Sequence, residues 1–204
     1  MNFASKKNNH PVVTYTLLLA NIGVYTYLAW QSKDLLQIDR SFMEKYGFVR
    51  EFFFEGAYWQ LITNMVAHFD ITHLGYNLLF LTIFGAKAEE LFGGRRVLLM
   101  YLVFGIATTF TAFLYPLGTI SAGASGAIFG LLGADLIAQR GMYGQGAWSS
   151  FFYGFIFFIF AATTGFLAHL VGLIIGFIVG YIISRDWYSE DMEIEDGSPR
   201  NLDV

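Results

Sequence analysis

The chain has 204 residues, 55% of them hydrophobic and 14% charged, with a mean hydropathy of +0.51. Soluble domains average about 25% charged residues, and 22 phenylalanines are more than a soluble core of this size can hide, so a soluble all-helical protein is excluded. The net charge is −4 and there is no cysteine, which excludes disulfides and thiolate chemistry.

Gaps between charges mark the helices, because a spanning helix needs roughly 20 mostly apolar residues. Asn8–Ser32 carries no Lys, Arg, Asp or Glu and is the first span. It follows Lys6 and Lys7 as a secretory leader would, but no small-x-small cleavage site follows it, so it reads as a retained span. Residues 31–67 form an unusually long connection rich in aromatics, among them Phe42, Tyr46, Phe48, Phe52, Phe53, Phe54, Tyr58 and Trp59. Such a segment is expected to form short helices of its own and to lie in the membrane interface, where aromatic side chains are favoured. Ile71–Ala86 is the second span, extending at both ends. Val97–Ala134 holds two spans with a break near Pro116–Gly118, and Gly141–Ser184 two more with a break near Thr163–Gly165. The expectation is a six-helix bundle.

Both termini then share one face, which receives Lys6, Lys7, Lys87, Arg95, Arg96, Arg140, Arg185 and Arg200. The other face receives Lys33, Arg40, Lys45 and Arg50, so both termini are expected in the cytoplasm by the positive-inside rule. Net charge carries little weight in that argument, because acidic residues orient weakly. Residues 186–204 read as an acidic, polar, disordered tail. The chain is expected to be one membrane domain over 1–204, with its core at about 12–185.

Polar groups inside a membrane are costly and mark function or tight packing. The first is the serine of Gly123-Ala-Ser125-Gly126. A helix from Ser125 to near Arg140 has about 15 residues and is roughly 22 Å long, short of a bilayer core of about 30 Å. Ser125 is therefore expected at a helix N-terminus below the outer surface, beside a cavity that admits water. Free N–H groups there suit an oxyanion. A plain helix cap in a small-residue seam is the other reading.

His169, Gly172, Gly176 and Gly180 form one stripe of one helix, and Gly126, Gly130 and Gly133 offer a matching face. Packing the two faces brings His169 toward Ser125, a base beside a nucleophile, with Phe129 one turn below to support the imidazole. A histidine hydrogen-bonded in a tight helix pair fits the same pattern. His73 and Asn77 stand at i, i+4 on helix two, and His68 belongs to the loop before it. Zinc is the rival there, with two histidines and Asp70 as ligand types, but no H-E-x-x-H is present. Glu89 falls at the cytoplasmic end of helix two and suits a structural role at a loop or helix end. Asp135 lies about 15 Å down helix four from Ser125, too far to orient His169.

Together these residues resemble the rhomboid family of intramembrane serine proteases, from about Val12 to Arg185. The motifs are Gly123-Ala-Ser125-Gly126, Ala168-His169-x-x-Gly172-x-x-x-Gly176, His68-x4-His73-x3-Asn77 and Gly85-x3-Glu89-x3-Gly93. The resemblance implies Ser125 as nucleophile and His169 as general base. It implies His68 and Asn77 as oxyanion side chains acting with the Ser125 N–H, Gly123 as active-site backbone, and His73 as support. It further implies single-span membrane proteins as substrates, cut near the outer end of their helix, and neither cofactor, metal nor nucleic acid. Two positions depart from the family pattern: Gln60 follows Trp59 where many relatives carry Arg, and Phe129 stands where bacterial relatives often carry Tyr. An inactive rhomboid-like binding protein and a small transporter are the alternatives. The first would lack the dyad, and the second would spread ionisable groups along a path through the membrane.

Overall fold

The structure is a computed structural model. It describes residues 10–139 and 165–195, and of residues 186–195 the backbone alone. The expected fifth helix, within 141–163, lies outside the described residues, as do Lys6, Lys7, Arg140 and Arg200.

The described chain is predominantly helical. Helix α1 (Val12–Ser32) leads through α2 (Arg40–Tyr46), strand β1 (Phe48–Val49), α3 (Arg50–Phe54) and α4 (Gln60–Thr63) to α5 (Ile71–Phe80). A π-helical turn, Leu81–Gly85, joins α5 to α6 (Ala86–Phe92), so one helical path runs from Ile71 to Phe92. Next come α7 (Gly94–Thr109), a 3-10 turn (Phe110–Leu114), strand β2 (Ile120–Ser121), α8 (Ser125–Gln139) and α9 (Phe166–Glu195). Among the described residues, three stretches are long and apolar enough to cross a membrane: Val12–Ser32, Gly94–Leu114 and Phe166–Arg185. Helix α8 has 15 residues and is shorter.

Helix α8 is the central helix. Twelve of its fifteen residues are buried, including Gly126, Phe129 and Asp135. It packs on α7 through a core of Met65, Leu81, Val97, Tyr101, Phe104, Ile128 and Leu131, and on α9 through Phe129, Leu132 and Leu173. A Cβ added at Gly172 would strike the carbonyl oxygen of Gly126, and one at Gly176 that of Gly130. These are backbone atoms, which cannot swing aside, so glycine sets how closely the two helices approach. Gly126 and Gly130 themselves turn toward α7, where added Cβ atoms would meet Thr108 and Phe104. The expected seam is thus a glycine face on α9 against the backbone of α8: Gly133, where an added Cβ would meet Leu173 O and Gly176 C, faces α9 as expected, while Gly126 and Gly130 admit α7.

Helix α9 runs on to Glu195, into the stretch expected as a disordered tail. Its sequence from Arg185 to Glu195 has no Gly or Pro before Gly197, and nothing interrupts the helix that the span begins. Residues 196–204 lie outside the described residues.

The segment between α1 and α5 is held by named bonds. Strand β1 pairs antiparallel with β2, Phe48 opposite Ser121 and Val49 opposite Ile120. The Gln60 side chain is buried: its Oε1 accepts from Val49 N (3.0 Å) and its Nε2 donates to Glu44 O (2.8 Å). An aromatic cluster of Phe48, Phe53, Phe54, Phe110 and Phe113 joins this segment to the end of α7. At the opposite end, Glu89 accepts from Val13 N (3.0 Å), Thr14 N (2.8 Å) and Thr14 Oγ1 (2.9 Å). It satisfies free N–H groups in the first turn of α1 and lies far from Ser125.

Candidate active site

Ser125 is the first residue of α8. The first helical bond of α8, Ile128 N to Ala124 O (3.0 Å), starts at the residue before it, which makes Ala124 the capping position. The serine hydroxyl points instead to α9, with Oγ 2.8 Å from His169 Nε2. His169 is 5% exposed. Its ring lies on Phe129, with centroids 4.4 Å apart and planes 14° from parallel, so one flat face of the imidazole is fixed by a ring one turn below the serine. The His169 N–H is bonded to Gly165 O (3.1 Å). Gly165 has φ +73, a left-handed conformation that suits glycine. It precedes α9, and a Cβ added to it would stand 3.6 Å from His169 Nε2.

The backbone before Ser125 is anchored on several sides. Gly123 N donates to Asn64 O (2.8 Å), and Gly123 has φ +114. Strand β2 holds the preceding residues against β1. The Tyr115 hydroxyl accepts from Leu167 N (3.3 Å), tying the loop to the first turn of α9.

Opposite lies the N-terminus of α5. A Cβ at Gly123 would stand 2.7 Å from His73 Nε2 and 3.9 Å from Asn77 Nδ2. These two side chains therefore face the backbone that leads into Ser125. Asn77 is held by its own bond to His73 O (2.8 Å). His68 lies differently: it is completely buried, its ring edge-on to His73 at 5.0 Å. Burial, with the His73 ring beside it, pulls its pKa down to about 3.

A cleft of about 580 Å³ opens over the serine. Its lining includes Ser125, Gly126, Gly123, His73, Tyr76 and Ala168 but not His68. The positions expected for the two histidines are therefore exchanged: His73 reaches the cleft, and His68 backs it. The signal was in the sequence, since His73 and Asn77 at i, i+4 share a helix face and His68 does not belong to that face. The bond from Tyr115 to α9 and the Gln60 anchor had no comparable signal. Among the described residues, no group of three His, Cys, Asp or Glu side chains is placed to hold a metal ion.

The fold and cleft are those of an integral membrane protein with a serine and a histidine paired at the end of a short buried helix. The model of the rhomboid domain matches residues 55–186, and the chain belongs to the rhomboid family. It is 43% identical over 95 residues to rhomboid protease GluP of Bacillus subtilis (strain 168), covering 44% of this chain and 18% of that protein. It is 33% identical over 131 residues to RHOMBOID-like protein 7 of Arabidopsis thaliana, covering 63% and 42%. It is 30% identical over 140 residues to rhomboid protease AarA of Providencia stuartii, covering 61% and 50%. The chain thus spans half or less of these relatives.

Proposed function

We propose that this protein is an intramembrane serine endopeptidase. One observation carries the reading: Ser125 Oγ at 2.8 Å from His169 Nε2, with the imidazole seated on Phe129. His169 takes the Ser125 proton as the oxygen attacks the scissile carbonyl, then gives it to the leaving amine. Water, activated by the same imidazole, hydrolyses the acyl-enzyme. The carbonyl oxygen becomes an oxyanion, stabilised by the Ser125 N–H at the positive end of α8 and by His73 and Asn77 across the cleft.

The substrates are single-span membrane proteins. A membrane helix hides its peptide bonds in i→i−4 hydrogen bonds, so a substrate must unwind near the depth of Ser125. Gly and Pro aid that step, and a small residue precedes the scissile bond. Six spans, the fifth within 141–163, put both termini in the cytoplasm of a cell whose plasma membrane holds the protein.

The test is labelling of the detergent-solubilised protein with a fluorophosphonate probe, together with mass spectrometry of products from a single-span substrate. Labelling lost in Ser125→Ala and a cut near the outer end of the substrate helix are expected. Ser125-independent labelling, or cuts at the cytoplasmic end, would overturn the reading.

A further inference from the structure

Among the described residues lining the cleft, Asp70 is the one acidic or basic side chain besides His73. It precedes α5, and its Oδ1 accepts from His73 N at 2.8 Å, so it sits one helical turn outward of the imidazole that faces Gly123. One carboxylate oxygen is used by that bond. No ion pair is formed by Asp70 among the described residues, where the pairs are Arg40–Glu44 and Lys87–Glu90.

The surroundings add to its charge rather than offset it. A second depression shares Phe69 and Ile120 with the cleft, and its lining includes Asp34 and Asp39. Its one cation, Arg40, is bonded to Glu44 at 2.7 Å. The N-terminal end of α5 offsets part of the Asp70 charge, but that field falls off within a turn.

We propose that Asp70 is a specificity-determining residue: its carboxylate favours a basic side chain, and disfavours an acidic one, next to the scissile bond of the substrate. This rests on the protease reading above. A peptide lying between Ser125 and the His73–Asn77 face must pass the N-terminus of α5, so a side chain beside the scissile bond comes within a few ångströms of Asp70. At that range a change from negative to positive alters the interaction by about tenfold in an equilibrium constant, even with partial screening.

The experiment uses the full chain in detergent and three single-span peptides that differ only in Lys, Gln or Asp, scanned over the two residues on each side of the cut. At one or more of those positions kcat/KM is expected to fall in the order Lys, Gln, Asp, with about tenfold between the ends. Added salt narrows the spread. Asp70→Asn keeps an oxygen to accept from His73 N and removes the charge, so the spread collapses to about twofold or less. Equal rates at all four positions in the wild type, or an undiminished spread in a folded Asp70→Asn protein, would overturn the proposal. Binding of the same peptides to Ser125→Ala separates it from the protease reading. If no peptide is cut but Lys still binds more tightly than Asp in an Asp70-dependent way, the catalytic reading fails and the charge preference stands. If the peptides are cut but bind and react alike, the reverse holds.

Discussion

Ser125 Oγ and His169 Nε2 are 2.8 Å apart across 44 residues of sequence, because a glycine face of α9 lies against the backbone carbonyls of α8. In the proposed mechanism the pair acts as one unit. Ser125→Ala and His169→Ala should each abolish cleavage, and the double variant should be no worse than either, since residues of one catalytic unit are strongly non-additive. Phe129→Leu keeps apolar volume but removes the stacked ring. An aromatic contact contributes about 0.5–1.5 kcal/mol, so kcat should fall up to about tenfold with KM little changed. Steady-state kinetics on one single-span substrate check all four variants.

The two histidines near α5 should separate cleanly. His73→Ala removes a side chain that faces Gly123 and should lower kcat by about 10- to 10³-fold with folding intact, as loss of an oxyanion donor does. His68→Ala empties a completely buried site and should lower the thermal midpoint instead, with kcat per folded molecule changed far less. Circular dichroism melts beside initial rates would decide it, and the opposite pattern would return the oxyanion role to His68.

Much of this arrangement was legible before any coordinates. The start of α8 at Ser125 and the start of α9 at Phe166 fall where the Gly123-Ala-Ser125-Gly126 motif and the Gly-containing break put them. Glu89 at a helix end was legible from its position in the second span. The shared i, i+4 face of His73 and Asn77 was legible too, whereas the side on which His68 packs was not. It depends on where the loop after α4 ends and α5 begins, and Asp70 fixes that point by bonding back to His73 N. Nor could the sequence tell that Gly126 and Gly130 turn toward Thr108 and Phe104. A glycine stripe says that something comes close but not which helix.

That distinction gives a prediction on the seam. Gly176→Val drives a side chain into the carbonyl of Gly130, where no flexible group can yield. Overpacking typically costs about 1–3 kcal/mol, and displacement of α9 carries His169 with it. Both the thermal midpoint and kcat should fall. Gly75, with nothing within 4 Å of an added Cβ, is the control: Gly75→Ala should leave the midpoint the same or higher. Equal behaviour of the two variants would count against the close approach of α8 and α9.

The loop before the serine should be sensitive to acid. Glu51 Oε1 accepts from Gly118 N at 2.8 Å, and bonds from its own N–H and that of Gly118 hold the Glu51 carboxyl below its ordinary range. A lowered folded pKa means that the stabilisation is fully present above the pKa of the unfolded chain and is lost as pH falls through the lower folded value. Limited proteolysis near Gly118 should therefore quicken at acid pH in the wild type. In Glu51→Gln it should be quicker already at neutral pH and respond less to acid. A wild-type cleavage rate that does not change across the carboxylate range would remove Glu51 from this role.

Gln60 offers the last test. Its amide accepts from Val49 N and donates to Glu44 O and, at 3.4 Å, to Lys45 O. It therefore holds together α2, β1 and α4. Strand β1 in turn pairs with β2, which ends at Ser121, a short step along the chain from Ser125 at the start of α8. Gln60→Ala takes this partner from the Val49 N–H and the Glu44 carbonyl, while the Lys45 carbonyl keeps the Trp59 indole N–H at 3.2 Å, and each buried group left unsatisfied costs about 1–3 kcal/mol. The thermal midpoint should drop by several degrees. Cleavage should weaken as β1 and β2 loosen, while fluorophosphonate labelling of Ser125, which needs only the dyad, should persist. Gln60→Arg retains donors for the Glu44 and Lys45 carbonyls but has no acceptor for Val49 N, so it should recover part of the midpoint and not all of it. Full recovery by arginine would show that the Val49 bond contributes nothing, and no loss in Gln60→Ala would show that the segment is held by its aromatic cluster alone.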